Sequence, residues 1–267
     1  MRIVTIAIAS AFAVTPAAGL LAAGKSAAPS YTLASTSYTQ DFDGLAASGT
    51  ANTALPAGFQ IVELSDGAAA DGRYAASTGS SNGGNIYSFG TSAERALGSL
   101  GSGGVAPNYF GGVFTNGLAG TIASLTFGYT GEQWRAGNSG DDRLDFQFSL
   151  DATELDNGTW ADIDSLDFLP LVLSGDSALN GNLAANQRML TGTTGAISVA
   201  AGQRFAFRWR DLNSDGNDHG LAVDNLTIGA TLAPVAVVPE PSAWALLILG
   251  FGMTGTMLRR RRQLAFA

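Results

Sequence analysis

The segment 211–220 holds the densest set of side chains able to bind a cation. Asp211, Asn213 and Asp215 stand at alternate positions and a glycine follows, as in the first half of an EF-hand calcium loop. The glutamate expected at position 12 is replaced by Ala222, so a remote carboxylate must complete the shell. The candidate calcium ligands are Asp211, Asn213, Asp215, Asn217 and Asp224. The alternative is an Asx-rich turn that bonds its own backbone.

A second constellation consists of Glu132, Trp134 and Arg135. An exposed tryptophan can stack on a sugar ring while charged neighbours hydrogen-bond the hydroxyls, which predicts a ligand-binding site. The alternative places Trp134 in the core, as sandwiches commonly do, and pairs Glu132 with an arginine such as Arg95. Glu94 and Arg95 are themselves predicted to form a structural ion pair.

Composition excludes several kinds of chemistry. The chain has no cysteine and one histidine, so a disulfide framework, a thiolate zinc site, a cysteine nucleophile and a multi-histidine metal site are excluded. Residues 29–238 contain 8 arginines, no lysine and 21 acidic residues, a net charge of −13. Such a surface repels phosphate backbones, so no nucleic-acid partner is expected.

These residues must be positioned by short strands. Leu144–Leu150 and Arg204–Arg210 alternate apolar and polar side chains, which indicates strands with one buried face. Similar signals recur at 38–42, 59–64, 85–89, 112–115, 125–129 and 221–228, bounded by turn-forming residues. Within residues 29–238, only Ala93–Leu100 is compatible with a helix. The pattern predicts an all-β, antiparallel β-sandwich.

The N-terminal segment has the features of an export signal. Residues 3–14 form a largely apolar run behind Arg2, and small residues follow Pro16. A 12-residue helix spans about 18 Å, well short of the roughly 30 Å core of a bilayer. Residues 1–28 are therefore predicted to be a signal peptide cut between Ala23 and Ala28. A buried N-terminal helix is the alternative.

The C-terminal segment combines three elements in order. They are Pro239-Glu240-Pro241, an uncharged run of 16 residues, Ala243–Leu258, that includes Trp244, and the cluster Arg259, Arg260, Arg261 and Arg262. The uncharged run predicts a single C-terminal transmembrane helix, slightly short for a span, and the arginines should remain cytoplasmic. A plain membrane anchor is one interpretation.

These elements resemble the PEP-CTERM sorting signal of Gram-negative bacteria, in the variant with Trp-Ala after the triplet. This signature is also called the ice-binding protein C-terminal domain. The resemblance implies export through the inner membrane and transient anchoring there. It also implies processing by an exosortase and delivery to the cell surface or to extracellular polysaccharide.

The body is similar to a jelly-roll module common in PEP-CTERM proteins. The matching phrases are Gln40–Leu45, Glu94–Leu100, Tyr129–Arg135 and Phe207–Asp211 continued by Leu221–Leu226. The module resembles concanavalin-like jelly rolls, whose first and last strands are adjacent, which implies that Asp41 and Asp43 lie near Asp224. The resemblance supplies no catalytic residues.

The sequence therefore predicts three parts: a signal peptide over 1–28, a sandwich domain over 29–233 and a sorting signal over 234–267. The function expected is structural or adhesive at the cell surface, with carbohydrate and Ca²⁺ as candidate ligands and no enzymatic activity. The alternative is a secreted hydrolase acting on extracellular polysaccharide, which would need two carboxylates across a cleft.

Overall fold

The computed structural model describes Lys25, residues 30–234 and residues 241–264 of the chain. Apart from Lys25, the predicted signal peptide lies outside the described residues, as do Pro239 and Glu240. The chain divides into a compact unit that ends at Thr231 and a second unit, Leu232–Ala267.

The described part of the first unit forms two β-sheets. Its strands, in chain order, are β1 (Tyr31–Leu33), β2 (Ser37–Gln40), β3 (Phe59–Glu63), β4 (Tyr74–Ser77), β5 (Asn85–Phe89), β6 (Ala96–Leu100), β7 (Asn108–Asn116), β8 (Ile122–Ala136), β9 (Leu144–Ser149), β10 (Ala161–Asp162), β11 (Ser177–Ala178), β12 (Gln187–Thr193), β13 (Arg204–Asp211) and β14 (Gly220–Leu232). The first sheet has the order β1-β7-β13-β9-β10, with β3 also paired to β7. The second has the order β11-β8-β14-β6-β5-β4, with β12 on β8 and β2 on β14.

Most strand pairs are antiparallel, and β1–β7 and β4–β5 are parallel. Strand β2, near the start of the domain, pairs with the last strand, with Leu226 opposite Gln40. The all-β sandwich predicted from the sequence is confirmed. The last strand is adjacent to β2, whereas the first strand, β1, pairs with β7 in the other sheet, so the implied pairing of first and last strands is met only by the second strand.

The core between the sheets is rich in aromatic side chains. Phe207 and Trp209 extend inward from β13, with ring centroids 5.8 Å apart and planes at 87°. Phe127 of the opposite sheet lies 5.3 Å from Phe207, and Phe146 lies 5.5 Å from Trp209. Such pairs contribute about 0.5–1.5 kcal/mol beyond the burial of their area, so they hold the two sheets in one arrangement.

The outer face of the first sheet is covered rather than solvated. Arg208, expected to point outward into water, is buried beneath the segment 151–160. Its guanidinium lies 4.0 Å from the ring centroids of both Tyr109 and Trp160. Its Nε donates to Gln147 Oε1 at 2.7 Å, and its Nη1 donates to the carbonyl of Leu155. Strand β13 thus has the predicted alternation, but part of its polar face is buried beneath the segment 151–160.

Two further expectations are corrected. The segment compatible with a helix, Ala93–Leu100, contains strand β6, because pairing with β5 and β14 overrides its local preference. The predicted Glu94–Arg95 ion pair does not form, since the buried guanidinium of Arg95 donates to the hydroxyl and carbonyl oxygens of Ser88.

Lys25 is attached to the sandwich. It forms an isolated antiparallel bridge with Val62. Its Nζ lies 2.9 Å from Glu154 Oε2 and 2.5 Å from Asp156 Oδ2. The backbone of Lys25 also lies against Gly72, where an added Cβ would come within 2.5 Å of it.

The second unit contains the helix α1, Pro241–Leu264. Large apolar side chains on it are exposed, among them Trp244, Ile248 and Phe251. Among the helical residues that the structure describes, no stretch combines the length and the apolarity needed to cross a membrane. The predicted transmembrane helix is therefore not confirmed; its uncharged run has 16 residues, Ala243–Leu258, and Arg259 follows directly.

Replacing Arg208 by alanine should lower the free energy of unfolding by about 2–4 kcal/mol, because it removes two buried hydrogen bonds and leaves polar partners unsatisfied. Arg204 lies on the same strand and face but is exposed. Arg204→Ala should change the stability by no more than about 0.5 kcal/mol. Urea unfolding of both variants measures the difference, and equal losses would refute the buried role of Arg208.

Candidate metal centre

Three carboxylates from distant parts of the chain meet on the outer face of the second sheet. Glu94 precedes β6, Glu132 lies in β8 and Asp224 lies in β14. One carboxylate oxygen from each lies within 4.8 Å of the other two. We call Glu94, Glu132 and Asp224 the carboxylate centre. Oxygens on opposite sides of a calcium ion are separated by up to about 5 Å, since each bond is 2.3–2.6 Å long.

The backbone of β14 brings Asp224 to this place. Asn225 has a φ of 50°, in the left-handed region that asparagine tolerates better than most residues. Val223 and Leu226 both face the core although they are three residues apart, so the alternation slips by one residue, as in a β-bulge. At the same point the pairing partner of β14 changes from β6 to β2. Asp224 therefore lies opposite the gap between these two strands.

Residues at both sides of that gap approach Asp224. Asp43, just beyond β2, accepts the backbone N–H of Arg95 at 3.0 Å, and its charge acts on Asp224. Asp43 and Asp224 are thus close enough for their charges to interact, while the implied proximity of Asp41 to Asp224 stays a prediction. The side chain of Asn182 donates to Glu94 Oε2.

The hydrogen bonds leave acceptor capacity free within the centre. Glu132 Oε2 accepts the indole N–H of Trp134 at 2.9 Å, and Asp224 Oδ2 accepts from the side chain of Asn225. Asp224 is 3% exposed, and its Oδ1 has no hydrogen-bond partner in the described part of the chain. A buried carboxylate oxygen without a donor is costly unless a cation occupies its lone pairs.

The negative charge of the carboxylate centre is not balanced by a nearby cationic side chain in an ion pair among the described residues. Among the described residues, none of the ion pairs includes Glu94, Glu132 or Asp224. Burial raises the pKa of Glu132 to about 7, with a further contribution from the charge of Glu94. Burial raises the pKa of Asp224 to about 8, and the charges of Glu132, Glu94 and Asp43 add to it. The centre either holds protons or binds a cation.

The donor set consists of oxygen alone, which suits a hard divalent cation. Calcium accepts irregular arrangements of six to eight oxygens at 2.3–2.6 Å, while magnesium demands a near-ideal octahedron. Three carboxylates provide only part of either shell. Water, or a further protein oxygen such as that of Asp43, would have to complete it.

The candidate ligands from the 211–220 segment do not come together as a group. Asp224 joins the carboxylate centre, while Asp211 is buried at the end of β13. Asn213, Asp215 and Asn217 are exposed in the loop, and Asn217 donates to Asp176 at 3.3 Å. The five predicted ligands therefore do not form one group: Asp224 lies in the carboxylate centre, Asp211 is buried, and Asn213, Asp215 and Asn217 are surface residues of the loop.

The predicted sugar-binding constellation is also corrected. Trp134 has no exposed surface and stacks on Phe89 at 6.0 Å with planes at 7°, so it has no free face for a sugar. Arg135 pairs with Asp176 at 2.6 Å. Of the three residues predicted to bind a sugar, only Glu132 belongs to the carboxylate centre.

Glu94 was missed as a site residue. The three members of the centre are separated by 38 and 92 positions along the chain, and none lies in a spaced motif. The available signal was indirect: Glu94, Glu132 and Asp224 all occur in phrases that resemble the jelly-roll module.

Comparison with protein families identifies the C-terminal segment. Residues 237–262 match the model of the PEP-CTERM protein-sorting motif. The matched range contains every residue predicted for the sorting signal: Pro239, Glu240, Pro241, Trp244, Arg259, Arg260, Arg261 and Arg262. The chain thus carries a PEP-CTERM motif, which indicates export, sorting to the cell surface and processing by an exosortase. No curated protein sequence matches the chain.

Solved structures provide distant matches to the sandwich. The K1 cleaved adhesin domain of Lys-gingipain from Porphyromonas gingivalis W83 is 18% identical, with a TM-score of 0.40; the match covers 74% of this chain and 99% of that one. The K3 adhesin domain of the same protein is 18% identical, with a TM-score of 0.37 and coverage of 65% and 93%. A xylanase 10B fragment from Clostridium thermocellum, complexed with xylohexaose, is 10% identical, with a TM-score of 0.29 and coverage of 58% and 26%. Function is therefore argued from the residues of this chain.

Calcium should raise the melting temperature of the purified chain. At about 100 times Kd the stabilisation is about 2.7 kcal/mol, which corresponds to a rise of roughly 5–10 °C in a domain of this size. Glu132→Gln should lose most of this response, and Glu154→Gln, an acid outside the centre, should keep it. Differential scanning calorimetry in chelator and in calcium measures both. An undiminished response in Glu132→Gln would contradict the centre.

The metal-free protein should lose stability as the pH rises from 5 to 8. The folded state keeps protons on Glu132 and Asp224 up to about pH 7 and 8, whereas unfolded carboxyls release them near pH 4. The folded state then binds more protons than the unfolded state, so the free energy of unfolding falls with pH in this window. Denaturant melts in chelator test this, and Glu132→Gln should show a shallower decline.

Proposed function

We propose that the chain is an exported, exosortase-processed protein of a Gram-negative bacterium, retained at the cell surface or in extracellular polysaccharide with a structural or adhesive role. The PEP-CTERM match over residues 237–262 carries this proposal. The acidic sandwich is the part that is displayed, and calcium bound at the carboxylate centre stabilises it. Millimolar extracellular calcium suits even a weak site.

The hydrolase alternative has less support. Glu132 and Asp224 have raised pKa values, but they are only 2% and 3% exposed. A glycosidase places its two carboxylates across a cleft that admits the sugar chain. These two carboxyl groups are enclosed by protein, which suits a bound ion better than a polymer.

The proposal for the role is tested by locating the protein and its ligand. Fractionated cells should contain the processed chain in the surface or matrix fraction, and a glycan array with and without calcium should identify any polysaccharide partner. Release of sugars from purified matrix by the protein would instead support the hydrolase. Recovery of the full-length chain in the cytosol would refute the export proposal.

The sorting triplet should be required for processing. Replacing Pro239, Glu240 and Pro241 together by alanine should abolish the lower-mass form, because the triplet is the part of the motif presented for recognition. Ser242→Ala, directly beside the triplet, should be processed normally. Immunoblots of cell and medium fractions provide the readout, and normal processing of the triple variant would argue against exosortase recognition.

Signal-peptide cleavage should occur before Lys25. The predicted cut lies between Ala23 and Ala28, and Lys25 contributes a bridge to Val62 and two ion pairs. A mature chain that retains Lys25 keeps these contacts, which favours a cut after Ala23 or Gly24. Intact-mass spectrometry of the exported protein measures the position, and a mature terminus beyond Lys25 would show that the contacts are dispensable.

A further inference from the structure

A cavity of about 540 Å³ lies at one end of the first sheet. Residues 140–143, just before β9, and residues 212–215, just after β13, form most of its wall. We call it the loop cavity, and it shares no residue with the carboxylate centre. Its volume lies within the roughly 300–1,000 Å³ of small-molecule sites. Loops positioned by a rigid sheet are also where binding residues concentrate.

The two loops of the wall are joined by hydrogen bonds. Nδ1 of His219 accepts the N–H of Gly137 at 2.8 Å, and its backbone N–H donates to Asp142 Oδ2 at 2.6 Å. The backbone N–H of Asn138 donates to the carbonyl of Asn217 at 2.9 Å. The N–H of Asn217 in turn donates to Asn138 Oδ1 at 2.7 Å. Because the wall is already ordered, a ligand does not have to order it on binding.

Two guanidinium groups in the cavity wall are held by one carboxylate. Asp145 Oδ1 accepts from Arg143 Nε at 3.0 Å, and its Oδ2 accepts from Arg210 Nε at 3.0 Å and from Arg210 Nη2. Burial opposes ionisation of Asp145, but the hydrogen bond and charge of Arg210 and the charge of Arg143 hold its pKa below the usual range. Nη1 and Nη2 of Arg143 and Nη1 of Arg210 form no hydrogen bond among the described residues. These N–H donors are available to a ligand.

The same wall offers acceptors and apolar surface. Asp141 and Asp215 line the cavity and are exposed. Leu169 and Leu212 also line it, with 53% and 43% of their surface exposed. Ligand sites commonly combine apolar surface with a few placed polar groups. The loop cavity has this combination, with both charged donors and charged acceptors.

The charges in the wall indicate the class of ligand. Four aspartates and two arginines give the lining a net charge of −2: Asp141, Asp142, Asp145, Asp215, Arg143 and Arg210. An anionic sugar would be repelled by this net charge, and a cationic sugar would leave the guanidinium donors without acceptors. A hydroxyl group both donates and accepts. A neutral sugar can therefore bond to carboxylate and guanidinium groups at once, while its C–H surface contacts the leucines.

We propose that the loop cavity binds a neutral sugar unit of a polysaccharide. Arg143 and Arg210 donate to the hydroxyl oxygens of the sugar, and Asp141 and Asp215 accept from its hydroxyl groups. This inference rests on the proposed function, which places the sandwich among extracellular polysaccharides, and it names the class of sugar and the place where it binds.

Isothermal titration calorimetry of the purified full chain tests the inference. The probes are neutral hexasaccharides of glucose, xylose, galactose and mannose, an oligogalacturonate hexamer and a chitosan hexamer. At least one neutral probe should bind about tenfold or more tightly than both charged probes. Arg143→Ala should weaken that binding by about tenfold or more, because a hydrogen bond from a charged donor is lost. Arg204→Ala removes an exposed arginine at the opposite end of β13 and should bind as the wild type does.

The outcomes separate the ligand class from the site. Failure of every neutral probe to bind, or tighter binding of a charged probe, would overturn the proposal. Equal affinities of Arg143→Ala and Arg204→Ala for the neutral probe would exclude the loop cavity as its site. Should Arg143→Ala fail to fold, Asp141→Ala, which changes an exposed side chain, should weaken binding, and unchanged affinity would overturn the site.

This experiment is independent of the fractionation that tests export. A chain recovered in the matrix fraction that binds no neutral sugar would keep the proposed location and lose the loop cavity as a sugar site. A purified chain that binds a neutral sugar but is recovered full-length in the cytosol would keep the sugar site and lose the proposed location.

Discussion

The architecture of this sandwich depends on one constraint, which is that carboxylates of like charge are buried close together. Glu132 and Asp224 are removed from water on the outer face of the second sheet, and Glu94 approaches them from the start of β6. Removing carboxylates from water costs several kcal/mol for each ion unless positive charge compensates. The surrounding strands are nevertheless built to hold these groups together, with a bulge at Asn225 and an indole donor fixed on Glu132. A cation bound by these oxygens would reconcile this geometry with its electrostatic cost.

The last strand, β14, connects the packing of the domain with the carboxylate centre. Before Asp224 it pairs with β6, and after Asn225 it pairs with β2. Its inward residues join the aromatic core, while Ala222 packs beside Trp134 on the opposite face. One strand thus contributes to the main core, to a smaller outer core and to the carboxylate centre, so a displacement of β14 disturbs all three.

Much of the fold could be predicted from period-2 patterns, since β9 and β13 follow the predicted segments within about one residue. The predicted direction of polar side chains was less accurate. Arg208 is buried because the segment 151–160 folds over the sheet, and no local pattern reports such a cover. The strand β6 was also missed, because its pairing with β5 is a tertiary effect.

The sorting motif was predictable in full, since its information is contiguous in the sequence. The carboxylate centre was not, because its residues come from three distant segments and a slipped register in β14 brings them together.

Because the chain has no cysteine, the carboxylate centre is a place where an ion could cross-link distant parts of the chain instead of a disulfide. With no cysteine in the chain, no covalent cross-link can tie Glu94 to Asp224, residues separated by 130 positions. A metal ion shared by these side chains would restrict the unfolded chain much as a disulfide does, but it would be removable and insensitive to reductants. The rigidity of the domain would then depend on the calcium concentration around it. Where calcium is scarce, as in the cytosol before secretion, the chain would be weakly cross-linked, and after export it would be firmly cross-linked.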